Sequence, residues 1–120
     1  MNQLRMQPTY KRGVPEVSAS EIFPCIGSLR IIDVRRSDEF WGELGHIEGA
    51  QLLTLGNEFD AWLAAEGNRE KETLFVCRSG ARSEVATLMA MKIGFKHVAN
   101  LKGGMLDWVA QGLPVSAKST

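Results

Sequence analysis

Four short apolar runs alternate with segments that carry helical spacing, and this alternation limits the fold more than any other feature of the chain. The runs predicted to be buried strands are residues 29–34, 50–53, 74–76 and 98–101. Strands separated by helices must be joined by crossovers, so they favour a mostly parallel sheet with helices packed on its faces. We therefore predict an α/β fold.

The chain length and the placement of its polar segments predict one domain with two loose ends. A length of 120 residues is typical of a single domain that buries its own core. Residues 1–16 are polar and contain two prolines and a glycine, so we expect a flexible N-terminal arm. The folded domain is predicted to span residues 17–115, with residues 116–120 as a frayed tail.

A helix is predicted directly after the third strand. It spans residues 82–93 and ends before Gly94, because glycine is a common helix stop. Its apolar residues Val85, Leu88 and Met89 recur at helical spacing, so we expect them to face the core.

Composition and charge argue against several classes of function. The formal net charge is 0, from 14 basic and 14 acidic residues, which argues against broad nucleic-acid binding. No apolar stretch approaches the ~20 residues that span a bilayer, so no membrane partner is expected. The first residues lack the apolar core of a secretory signal, which makes the cytoplasm the expected location. Cys25 and Cys77 do not form a C-x-x-C pair and both histidines are isolated, so we predict no metal site and no cofactor.

Cys77 is the candidate nucleophile because of its place in this pattern. It directly follows the predicted strand 74–76 and precedes the predicted helix. A tight turn between the two directs backbone N–H groups inward, at the positive end of the helix dipole. Those donors and the nearby Arg78 and Arg82 should stabilise a thiolate, so the thiol should lose its proton easily. The turn therefore offers a nucleophile and an anion cradle together.

Charged residues at the ends of other predicted strands point to the same place. Ligands of parallel sheets bind beyond the carboxyl ends of the strands. Asp33 and Arg35 lie at one such end, Cys77 at a second, and Lys102 follows the last strand. We expect the three loops to converge on one pocket.

Three motifs occur in order over most of the chain. They are Cys77-Arg78-Ser79-Gly80-Ala81-Arg82, with C-x-x-G-x-R spacing; Asp33-Val34-Arg35 with Glu39-Phe40 and Gly45-His46-Ile47-Glu48-Gly49-Ala50; and Leu101-Lys102-Gly103-Gly104-Met105-Leu106-Asp107-Trp108. In these motifs the chain resembles the single-domain rhodaneses of the thiosulfate sulfurtransferase family. The resemblance implies one rhodanese-like domain, with a mostly parallel sheet of about five short strands flanked by helices on both faces.

The resemblance also implies a two-step sulfur transfer. Cys77 would attack the outer sulfur of a small anionic donor such as thiosulfate, or of a persulfide, and would itself become a persulfide. A thiol, cyanide or a protein acceptor would then remove that sulfur. The substrate-binding residues implied are those of the turn: Arg78, Ser79, Gly80, Ala81, Arg82 and Ser83.

Further residues are expected to support this turn. Arg78 is the candidate for attracting the anionic donor, whereas Arg82 is expected to brace the loop against a carboxylate, either Asp33 or Glu39. Arg35 and Lys102 complete the supporting set, because both follow strand ends.

Other interpretations stay open from the sequence. The chain could be a sulfur carrier or regulatory binding module without appreciable turnover, and a cysteine at a strand end can also be a small buried hydrophobic residue. Related phosphatases and arsenate reductases use a Cys-x5-Arg loop. Here Arg82 is five positions after Cys77, one short of that pattern, and Val76 stands where those phosphatases commonly carry His. The loop length therefore disfavours phosphoryl chemistry.

Overall fold

A mixed sheet forms the centre of the molecule in the computed structural model, which describes residues 4–116. The six strands within these residues are β1 (Thr9–Lys11), β2 (Val14–Val17), β3 (Arg30–Asp33), β4 (Gln51–Leu52), β5 (Thr73–Val76) and β6 (Val98–Leu101). Their order in the sheet is β1-β2-β6-β5-β3-β4. Only the β1–β2 pair is antiparallel among the described strands. The predicted α/β fold with a mostly parallel sheet is confirmed.

Helices cover both faces of this sheet, as predicted. The described α-helices are α1 (Ala19–Ile22), α2 (Ser37–Phe40), α3 (Asn57–Ala65), α4 (Ala81–Lys92) and α5 (Gly104–Ala110), and a 3₁₀ segment, Phe23–Ser28, follows α1. Alternate strand residues enter two separate cores, because successive side chains of a strand point to opposite faces. One core packs against α1 and α5, and the other packs against α3 and α4.

The structure corrects the expectation that residues 1–16 form a flexible arm. Within this stretch, β1 and β2 form a hairpin, and β2 continues the sheet by pairing in parallel with β6. Val14 is 3% exposed and Met6 is 5% exposed, so the segment contributes to the buried interior. A short polar segment with prolines has no strand signal in its own sequence. It becomes a strand here because β6 provides a partner for it. Residues 1–3 lie outside the described residues.

Ser116, the first residue of the predicted frayed tail 116–120, contacts the loop around His46. The Ser116 backbone N–H donates to the His46 carbonyl oxygen at 2.8 Å. The predicted tail from residue 117 onward lies outside the described residues.

The prediction for the face buried by α4 was wrong for Val85 and Leu88, whereas Met89 is partly buried and packs against the core as predicted. Val85 and Leu88 are 46% and 43% exposed. The helix instead buries Ser83, Ala86, Thr87 and Ala90. These small side chains let α4 lie close to β5 and β6, and that close approach brings the Ser83 hydroxyl to the strand ends.

Candidate active site

Cys77 lies in the turn between β5 and α4, at the carboxyl edge of the sheet. β5 ends at Val76, and α4 begins at Ala81, so four residues make the turn. Gly80 closes the turn with φ of 106°, a left-handed conformation that glycine adopts without steric strain. This conformation turns the chain back, so the N-terminal turn of α4 points toward the Cys77 sulfur.

The sulfur atom of Cys77 receives hydrogen-bond donors from this turn. The Gly80 backbone N–H donates to Sγ at 3.0 Å, and the Ser83 Oγ lies 3.2 Å from Sγ. Cys77 is 1% exposed, so these donors act where water competes little. The positive end of α4 adds its dipole at the same position.

These contacts lower the pKa of the Cys77 thiol below its ordinary value. Burial is the largest single influence and raises the pKa. Four hydrogen bonds together outweigh it, and they come from the Ser83 hydroxyl and from the backbone N–H groups of Ser83, Gly80 and Ser79. The thiolate is the nucleophilic form of cysteine, so the turn favours the reactive state.

The loop between β6 and α5 holds the cysteine turn from the other side. The Met105 N–H donates to the Cys77 carbonyl oxygen at 2.9 Å, and the Leu106 N–H donates to that of Arg78 at 3.0 Å. A Cβ atom at Gly104 would lie 2.5 Å from both of these carbonyl oxygens, and the residue has φ of 57°. Only glycine therefore lets the two backbones approach this closely.

Arg82 braces the site through Glu39 of α2. Its two terminal nitrogens lie 2.7 and 2.8 Å from the two Glu39 carboxylate oxygens. The pairing, led by the Arg82 hydrogen bond, lowers the pKa of the Glu39 carboxyl to about 2. Of the two carboxylates considered from the sequence, Glu39 is the one that holds Arg82.

Asp33 and Arg35 form a buried ion pair and do not line an open pocket. Their side chains are 1% and 0% exposed, and the Arg35 Nη2 lies 2.8 Å from the Asp33 Oδ2. Arg35 also donates to the carbonyl oxygens of Gly45 at 2.8 Å and Glu39 at 3.2 Å. The pair therefore fastens β3 to α2 and to the following loop, and its contribution to the site is indirect.

The remaining candidates are either exposed or lie on the other face of the sheet from Cys77. Arg78 and Lys102 are exposed, and the Lys102 backbone N–H donates to Val17. Cys25 packs against the core on the α1 side, whereas Cys77 belongs to the core on the α4 side. The sheet therefore separates the two thiols.

Sequence reasoning missed Asn100 and Glu16. Asn100 lies on β6, is 1% exposed, and its Oδ1 lies 2.5 Å from the Ser83 Oγ. Its Nδ2 donates to the Gly80 carbonyl oxygen at 3.2 Å and to the Glu16 carboxylate at 3.3 Å. An asparagine inside an apolar strand was the available signal, because a buried amide needs polar partners.

The comparisons with known proteins agree with this arrangement. The family model described as Rhodanese-like domain matches residues 23–111. The chain belongs to this family. The human single-domain sulfurtransferase TSTD1 shares the fold with a TM-score of 0.72 and 27% identity, over 82% of this chain and 98% of the human chain.

Two curated relatives carry names that describe sulfur chemistry. Thiosulfate sulfurtransferase 18 of Arabidopsis thaliana is 32% identical over 72% of this chain and 71% of its own length. The Bacillus subtilis protein named "Putative sulfur carrier protein YrkF" is 37% identical over 82% of this chain. The chain spans 52% of the length of that relative. Rhodanese-like relatives thus include both named sulfurtransferases and a named carrier.

Membrane-spanning helices and clustered metal ligands are both absent from residues 4–116. Among residues 4–116, no helix has the length and apolar character needed to cross a membrane. The same residues contain no group of three or more His, Cys, Asp or Glu side chains arranged to hold a metal ion.

Proposed function

We propose that this protein is a sulfurtransferase that moves a sulfane sulfur from thiosulfate or a persulfide to a thiol or cyanide through a persulfide on Cys77. The observation that carries the proposal is the Cys77 sulfur itself, with the Gly80 N–H at 3.0 Å and the Ser83 Oγ at 3.2 Å. A buried sulfur surrounded by donors at a helix N-terminus is prepared to carry negative charge.

The first step loads the sulfur. The Cys77 thiolate attacks the outer sulfur of thiosulfate, a new S–S bond forms, and the bond to the sulfonate sulfur breaks. Sulfite leaves with that electron pair, and the negative charge stays on the outer sulfur of the Cys77 persulfide. The backbone N–H groups of the turn already point at the Cys77 sulfur, and the proposal is that they also stabilise the negative charge on the outer sulfur bonded to it.

The second step unloads it. A thiolate or cyanide attacks the outer sulfur of the persulfide, and the bond to Cys77 breaks with its electron pair returning to the cysteine. With cyanide the product is thiocyanate. The enzyme thus returns to its thiolate form, and no external oxidant or reductant is consumed.

Arginine side chains are proposed to have separate roles in this cycle. Arg78 is exposed and directly follows Cys77, where its charge would attract an anionic donor. Arg82 is held by Glu39, and this brace keeps the first turn of α4 in register with the cysteine. The reaction as proposed needs no cofactor. The setting we propose is the cytoplasm, where reducing conditions keep Cys77 available.

A second candidate is a sulfur carrier that passes its sulfur to a protein partner without appreciable turnover of small acceptors. The 37% identity to the B. subtilis protein named a sulfur carrier favours this candidate. Both candidates use the same persulfide, so they differ only in the acceptor.

Whole-protein mass spectrometry after incubation with thiosulfate tests the shared step. The proposal expects an adduct of one sulfur atom on the wild-type chain and none on Cys77→Ser. Cys25→Ser is the matched control, and it should load normally because Cys25 lies across the sheet. Absence of the wild-type adduct with thiosulfate, and again with a low-molecular-weight persulfide as donor, would refute both candidates.

A turnover assay then separates the two. Steady production of thiocyanate from thiosulfate and cyanide supports the sulfurtransferase. Stable loading with negligible turnover, followed by transfer to a protein thiol, supports the carrier.

A further inference from the structure

A chain of hydrogen bonds runs from Cys77 through the buried Ser83 and Asn100 to the partly buried Glu16. The Ser83 Oγ lies between the Cys77 Sγ, at 3.2 Å, and the Asn100 Oδ1, at 2.5 Å. The amide of Asn100 continues the chain to the Gly80 carbonyl oxygen and the Glu16 carboxylate. Ser83 is 0% exposed and Asn100 is 1% exposed, so water does not supply alternative partners.

The orientation of the Asn100 amide follows from its neighbours. The Gly80 carbonyl and the Glu16 carboxylate are both acceptors, so the group facing them must be the Nδ2 donor. The carbonyl oxygen of Asn100 therefore faces Ser83. Turning the amide over would place Oδ1 against two acceptors and leave it without a donor.

A count of protons shows a competition at Ser83. A serine hydroxyl has one proton, and an amide oxygen can only accept. Asn100 Oδ1 and a Cys77 thiolate therefore compete for the same proton. When the Ser83 hydroxyl donates its proton to the Asn100 Oδ1, a lone pair of the Ser83 oxygen faces Cys77. This arrangement favours a neutral Cys77 thiol, which can donate its S–H to that lone pair.

We propose that Asn100 is a positioning residue that holds the Ser83 proton away from Cys77 and thereby restrains ionisation of the nucleophile. When Cys77 ionises, its S–H bond breaks, the electron pair stays on sulfur and the proton passes to solvent. The Ser83 hydroxyl then rotates to donate to the thiolate, and the buried Asn100 Oδ1 loses its donor. That loss opposes ionisation, because an unpaired buried polar atom is costly.

The charged groups near this chain of hydrogen bonds can be left unchanged in a test of Asn100. They are Glu16 of β2, Arg82 of α4 with its partner Glu39 of α2, and the Asp33–Arg35 pair at the end of β3. Asn100→Leu changes none of these charges and has a similar volume. The Gly80 carbonyl oxygen keeps a partner in this variant, because it also accepts from the Glu84 N–H at 3.1 Å.

The test is the pH dependence of Cys77 alkylation by iodoacetamide, followed on the Cys77 peptide by mass spectrometry. This inference rests on the proposed function, since it concerns the nucleophile of that reaction, but alkylation reports ionisation without sulfur transfer. Its failure is therefore distinguishable from a failure of persulfide loading. Asn100→Leu should alkylate about two- to tenfold faster than wild type below the wild-type midpoint, the range of one hydrogen bond.

Ser83→Ala supplies the control background. It should alkylate more slowly than wild type, because the thiolate loses a donor. Adding Asn100→Leu to Ser83→Ala should then cause no acceleration, because the proposed restraint on ionisation acts through the Ser83 hydroxyl. The separate bond from Asn100 to the Gly80 carbonyl oxygen is lost in both backgrounds, so it does not affect the comparison. An unchanged or slower rate in Asn100→Leu alone, or an equal acceleration in both backgrounds, would overturn the proposal.

A measurement on the wild-type protein covers the case in which Asn100→Leu does not fold. The infrared S–H band of Cys77 is identified by subtracting the spectrum of Cys77→Ser at a pH where the thiol is neutral. The proposal expects the S–H stretching frequency to be lowered in the wild type, because the Cys77 S–H donates to the Ser83 oxygen. In Ser83→Ala the frequency should rise, because that acceptor is gone. A wild-type band at the position of an unbonded thiol would overturn it.

Discussion

The brace between Glu39 and Arg82 gives a prediction with a worked magnitude. Glu39→Gln keeps the size of the side chain and removes its charge. The pKa of Glu39 is lowered from 4.5 to about 2, first by the Arg82 hydrogen bond and further by Arg36, against the opposing effect of burial. The whole shift corresponds to roughly 3 kcal/mol at about 1.4 kcal/mol per unit, which is an upper bound for the Arg82 share. The Arg82 side chain is 34% exposed, so solvent screening reduces the expected loss of unfolding free energy to about 1–2 kcal/mol at pH 7.

The pH dependence of that loss has a definite sign. A carboxyl whose pKa is lowered by folding stabilises the protein above its unfolded pKa, and the stabilisation disappears as the pH falls through the folded pKa. The wild-type advantage should therefore be full at pH 7, shrink below about pH 4.5 and be lost near pH 2. Urea unfolding of both proteins across this range measures it.

Asp38→Asn is the matched control for this experiment. Asp38 lies beside Glu39 on α2, but its side chain is 71% exposed and pairs with the exposed Arg36. Its removal should change the unfolding free energy by less than about 0.5 kcal/mol. The reasoning fails if Glu39→Gln matches Asp38→Asn at pH 7, or if its deficit persists unchanged at pH 2.

Three further predictions address the turn and the hairpin. Gly104→Ala should lower the unfolding free energy by more than about 2 kcal/mol and slow Cys77 alkylation, because its Cβ would meet two carbonyl oxygens. Gly112→Ala is the control: Gly112 also has a positive φ but has open space around it, so the change should cost about 1 kcal/mol and leave alkylation unchanged. Equal effects of the two variants in denaturant melts and alkylation rates would contradict this. The alkylation midpoint of wild-type Cys77 should lie below that of an unperturbed thiol such as glutathione in the same assay, because the pKa of Cys77 is lowered; a midpoint at or above that of the reference thiol would count against an activated thiolate. Val14→Ala should lower the unfolding free energy by about 2 kcal/mol, because Val14 is 3% exposed, whereas a loose arm would give no change in the same denaturant melt.

The parts of the fold that were predictable are those with a local signal. The runs around Ile31 and Leu74 are apolar because those strands are buried on both faces, and parallel strands of this kind are recognisable without a partner. Strand β2 has no such signal. Its sequence, Val-Pro-Glu-Val, becomes a strand because Glu16 and Val17 pair with β6. Glu16 and its partner Asn100 are separated by 84 residues in the sequence.

The site shows the same division between local and distant information. The turn from Cys77 to Ser83 is continuous in the chain, so its spacing alone indicated inward N–H groups and a reactive thiol. The identity of the Arg82 partner depends on where α2 packs, and the sequence left Asp33 and Glu39 as equal candidates. Arg35 decides between them, because it occupies the Asp33 carboxylate and leaves Glu39 for Arg82.

The cysteine turn is held on two sides before any substrate arrives, and this bears on its selectivity. Backbone N–H groups of α5 bind the Cys77 and Arg78 carbonyl oxygens, and Asn100 binds the Gly80 carbonyl oxygen. A turn clamped in this way keeps its own N–H groups directed at one sulfur-sized position. Widening the turn to surround a tetrahedral oxyanion would break bonds on both sides. We therefore expect the clamps to disfavour phosphoryl transfer independently of the loop length, which is consistent with the proposed reaction, whose charge stays on a single sulfur atom.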